Sequence, residues 1–74
     1  MKDQKAILFK CLQNDIPAFV IAGTDACAIE AIKAYADVAI EKGCSSEFIN
    51  DMVLVIREFE RFQTDEAEKV RIPD

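Results

Sequence analysis

Cys27 stands two residues after Asp25 in the stretch Gly23-Thr24-Asp25-Ala26-Cys27-Ala28, where an apolar run ends and a helical pattern begins. A thiol in the first turn of a helix feels the partial positive charge of unpaired N–H groups, which lowers its pKa and makes it a better nucleophile. Asp25 opposes this, because a neighbouring carboxylate disfavours the thiolate. The chain has no histidine to serve as base. The same helix start invites a phosphate, since free N–H groups bind anions. Phosphate loops, however, wrap their ligand with several glycines, and a Walker loop adds Lys and Ser/Thr. Here there is one glycine and no lysine, and Asp25 places negative charge where the phosphate would sit. The stretch therefore reads as a self-capped turn, with Thr24 or Asp25 accepting a hydrogen bond from an otherwise unpaired N–H. The remaining carboxylates fall on solvated helix faces. The chain reads as non-enzymatic, with no cofactor.

Cys11, Cys27 and Cys44 are odd in number, and their separations match no zinc or redox spacing. Without histidine, a zinc site would need carboxylates or all three thiols, so no metal is expected. The expected role is that of small buried apolar side chains in a reducing cytosol.

The elements that position these residues follow from periodicity. Residues 3–13 have apolar side chains at 7, 8, 11 and 12, the one-sided spacing of a short helix. Asp3 suits its start, and Pro17 disfavours helix at Ile16. Residues 17–22, "PAFVIA", are short, apolar and β-branched, which predicts a strand ended by Gly23. Residues 25–42 form the clearest helix, with Gly43 as the residue that follows it. Its polar positions Glu30, Lys33, Asp37 and Glu41 make one narrow stripe. So wide an apolar arc predicts burial on more than one side. Ser45 or Ser46 can cap a third helix over about 46–63. In it Phe48, Met52, Val55, Phe59 and Phe62 form a heptad seam, the candidate interaction surface. Leu54 is an apolar residue among polar ones. "KVRI" at 69–72 alternates, and either adds a strand beside residues 18–22 or forms an extended tail.

The predicted fold is mainly α, a small α+β domain covering 1–74: a short N-terminal helix, one short strand or a two-stranded ribbon with the C-terminus, then an antiparallel helical hairpin. At 74 residues, 51% apolar and 31% charged, the chain allows one folded domain. A domain this short buries only about 60% of its unfolded surface and often needs a partner subunit. The apolar arc and seam cover each other only in part, which predicts self-association, with a homodimer as the expected partner state and an unidentified protein as a further partner. A net charge of −5 repels phosphate backbones and anionic lipid. No segment approaches the ~20 apolar residues that cross a bilayer. The start, with Lys10 inside its only apolar patch, does not read as a signal peptide, so a cytoplasmic protein is expected.

The alternative function is a small nucleic-acid-associated regulator. Ala39, Gly43 and Ile49 in the corner 38–52 have helix-turn-helix offsets, and Val38, Cys44 and Met52 fall where that motif wants apolar side chains. Against this, Lys42 occupies an apolar position, and the exposed side chains of the would-be reading helix are Ser45, Ser46, Glu47, Asn50 and Asp51, none of them basic.

Phe19, Asp25, Ala28, Tyr35, Ala39, Gly43 and the final Pro73-Asp74 carry a resemblance over residues 17–74. The order of strand, Asp, Ala-rich helix, glycine corner, aromatic helix and Pro-Asp resembles short proteins of bacterial genomes and their phages or mobile elements, for which no activity is established. The resemblance implies a shape and a mobile-element origin, and no catalytic residues.

Overall fold

The computed structural model describes residues 3–74. It is mainly helical, in the order α1 (Gln4–Gln13), α2 (Ala28–Glu41) and α3 (Ser46–Asp65), with a closing 3-10 turn at Ala67–Lys69. Asp3 caps α1, its carboxylate accepting from the Lys5 N–H at 2.9 Å. The helix ends where Asn14 returns its side-chain amide to the Lys10 carbonyl at 2.8 Å and Asp15 turns to φ 53°. Asn and Asp tolerate such geometry because their short polar side chains can bond locally.

α2 and α3 form the expected helical hairpin, and they hold the core. Ala28, Ile32, Ala36 and Met52 are buried in it, with Ile21, Phe48, Val55, Ile56 and Phe59 packed around them. Ala39 is also buried, and with Ala28, Ile32 and Ala36 makes a stripe at steps of four, four and three. The three alanines of the stripe let α3 approach closely. The corner between the helices turns at Gly43, whose φ of 82° is left-handed. Ser45 then caps α3, its hydroxyl accepting from the Phe48 N–H at 3.2 Å.

The apolar arc of α2 is buried on one side only. Tyr35, Val38 and Ile40 on its other flanks are exposed, as is Leu54 on α3. The α1 backbone makes no close approach to α2 or α3, and its Ile7, Leu8, Phe9 and Leu12 are exposed. The radius of gyration is 13.5 Å, against about 11 Å for a compact chain of this length.

Residues 16–22 form no regular element, so among the described residues neither the strand predicted at 17–22 nor a ribbon beside residues 18–22 forms. The C-terminal stretch is instead displaced to the turn beyond. Arg71 forms a parallel bridge with Asp25, the Arg71 N–H donating to the Thr24 carbonyl at 2.8 Å and the Ala26 N–H to the Arg71 carbonyl at 2.9 Å.

Candidate functional site

The turn at 23–28 is built from its own polar groups. Asp25 Oδ1 accepts from the Cys27 N–H at 2.7 Å, and the Ala28 N–H donates to the Asp25 carbonyl. This side-chain turn delays α2 to Ala28, with Cys27 at the N-cap and making no side-chain cap bond. Asp25 is thus the group that closes the turn. Thr24 does not cap the helix; it contributes its backbone carbonyl to the bridge with Arg71.

The delay also moves Cys27 to the surface. Cys27 and Cys44 are exposed and Cys11 half-buried, which corrects the expectation of buried thiols. Cys44 is exposed because it follows the Gly43 turn before α3 begins. The Asp25 carboxylate holds the Cys27 thiol above its ordinary value, with smaller contributions in the same direction from desolvation, a hydrogen bond to Asp25, and Glu30. The thiolate is disfavoured at the place where a helix start would otherwise promote it. Among the described residues, no group of three or more Cys, Asp or Glu converges as a metal site. Nor is any described helix long and apolar enough to cross a membrane.

One residue in this region escaped the sequence reading. Gln63 on α3 donates through Nε2 to the Gly23 carbonyl at 3.0 Å and to the Asp25 carbonyl at 2.9 Å. It ties the turn to the hairpin across about forty residues of chain, and Phe62 lies beside it against Gly23. A Cβ at Gly23 would meet the Phe62 ring at 3.2 Å, so this approach of backbone to ring favours glycine. A lone glutamine near a helix end carries no local signal of a contact so distant in sequence.

The five seam residues divide. Met52 is buried and belongs to the hairpin core. Phe48, Val55 and Phe59 pack against that core and also line an open groove of about 870 Å³. Phe62 packs beside Gly23 instead. Ile7 of α1, Phe19, Ile32 and Tyr35 also line the groove. The rings of Tyr35 and Phe48 are 6.3 Å apart and tilted by 58°. The result is an open, mainly apolar trough between α1 and the hairpin.

The corner 38–52 has the small-residue contact its spacing suggested, with Ala39 buried and the Cys44 N–H bonded to the Ala39 carbonyl. Its outward positions Ser46, Glu47 and Asn50 are exposed and bring no positive charge.

Compared with family models, curated proteins and solved structures, the chain matches none.

Proposed function

We propose that this protein is a non-enzymatic, self-associating interaction module, a homodimer that meets a further protein as an assembled pair. The observation that carries the reading is surface area. The single chain exposes 6120 Å². A monomer of its 8.3 kDa is expected to expose about 4,600 Å², so roughly 1,500 Å² is in excess. Two chains together would then have roughly 3,000 Å² to bury, within the range of obligate dimers. The excess is apolar where it matters: Phe9, Leu12, Phe19, Val20 and Ile40 are each more than half exposed. Free thiols and the acidic surface suit a dimer working in a reducing cytosol.

The test is the dependence of urea unfolding on chain concentration. A dimer gains stability by mass action, so its midpoint rises as concentration is raised a hundredfold. A midpoint that stays fixed over that range contradicts the reading.

A further inference from the structure

Residues 18–22 form no regular element and carry no charge. Among the described residues, no N–H of residues 18–22 donates a hydrogen bond, and no carbonyl of residues 17–21 accepts one. The side chains already alternate as in a strand. Phe19 and Ile21 face the groove, while Val20 and Ala22 face the opposite side, toward Thr24 and Arg71. Phe19 is 86% exposed and Val20 67%. An edge of this kind normally carries charge, a bulge or a cover, and here it has none. The chain's own candidate to cover it, the C-terminal stretch, is engaged with residues 24–26.

We propose that residues 18–22 pair with the same segment of a second copy, as a two-stranded antiparallel ribbon across a two-fold axis. The proposal rests on the self-association argued above and names its contact. A second copy is the occupant because it brings an identical unpaired edge, so one contact satisfies both chains, and because the excess area is that of a stable dimer. Side chains directly opposite in a ribbon lie on the same face, and a two-fold axis normal to the ribbon preserves faces. Val20 therefore sits on the axis opposite its own counterpart. Phe19 stands opposite Ile21 of the partner subunit on the groove face. Pro17, which has no N–H to give, lies just outside the ladder. The ribbon places two apolar pairs over the grooves of both hairpins.

Residue-resolved hydrogen exchange on the unmodified chain tests the ribbon, with mass measured on the same sample. In an antiparallel pair, every second N–H points at the partner strand. Either 18, 20 and 22 or 19 and 21 should therefore exchange about a hundredfold more slowly than a free peptide, while the other set exchanges fast. A dimer in which all five amides exchange like a free peptide overturns the ribbon and leaves self-association standing. A monomer overturns both. The axis has its own test. In a chain freed of Cys11, Cys27 and Cys44, a Val20→Cys substitution should form an intermolecular disulfide on mild oxidation. Residues facing across an antiparallel pair are about 4.5–5.5 Å apart at Cα, within disulfide reach. A chain that folds, dimerises and stays uncrosslinked rejects Val20 as the axis.

Discussion

Gln63 should be the side chain whose loss most loosens the junction between the turn at 23–28 and the hairpin. Its amide makes two neutral hydrogen bonds, to the carbonyls of Gly23 and Asp25, in a half-buried position. The Asp25 carbonyl has a second donor in the Ala28 N–H, whereas the Gly23 carbonyl depends on Gln63. Each such bond contributes about 0.5–1.5 kcal/mol net, so Gln63→Ala should cost about 1–3 kcal/mol. Gln63→Glu keeps the shape but turns a carboxylate with no proton toward two carbonyl oxygens, and should cost more than the alanine at pH 7. The pH dependence has a definite sign. Protonation restores one donor, so the introduced carboxyl has a raised pKa in the folded state. Its stabilising contribution is full below the unfolded value of about 4.3 and is lost as pH rises through the folded one. Urea unfolding followed by circular dichroism, at fixed chain concentration and with an unchanged slope, reads these differences. If both variants stay within about 0.3 kcal/mol of the parent at pH 7, the clamp is not a structural tie.

Four other substitutions have definite outcomes. Ser45→Ala removes the α3 cap and should cost about 1 kcal/mol by the same unfolding assay. Gly43→Ala meets no neighbouring atom, yet forces a side chain into left-handed backbone, and should cost about 1–2 kcal/mol. Met52→Ala empties a buried site of the hairpin core and should cost about 2–5 kcal/mol, more than either. Asp25→Asn keeps an acceptor for the Cys27 N–H while removing the charge that holds the thiol up. Alkylation of Cys27 should therefore reach half its limiting rate at a lower pH than in the parent, and an unchanged pH profile rejects Asp25 as the cause.

The helices were legible because their signals are local. Asp3 and Ser45 cap where their positions suggested, and Gly43 turns the corner that follows α2. The start of α2 was misjudged by about a turn because Asp25 could close either a helix or a side-chain turn. Competition from the bridge with Arg71 is long-range and decided for the turn. The same bridge explains why residues 69–72 do not lie beside residues 18–22. Periodicity also showed how much of α2 is apolar, but not which flank is covered: one stripe meets α3, and Tyr35, Val38 and Ile40 stay exposed in the single chain. The heptad seam signalled contact correctly without distinguishing a partner helix in the same chain, which buries Met52, from one in another. Gln63 was invisible because a hydrogen bond spanning forty residues leaves no pattern in its neighbours.

All of this turns on whether one chain can stand alone with so much apolar surface in water. Sedimentation equilibrium from low to high micromolar concentration decides it. Self-association predicts a mass that rises toward, and settles at, twice the 8.3 kDa of the chain. A species that remains at 8.3 kDa throughout, folded and soluble, contradicts it.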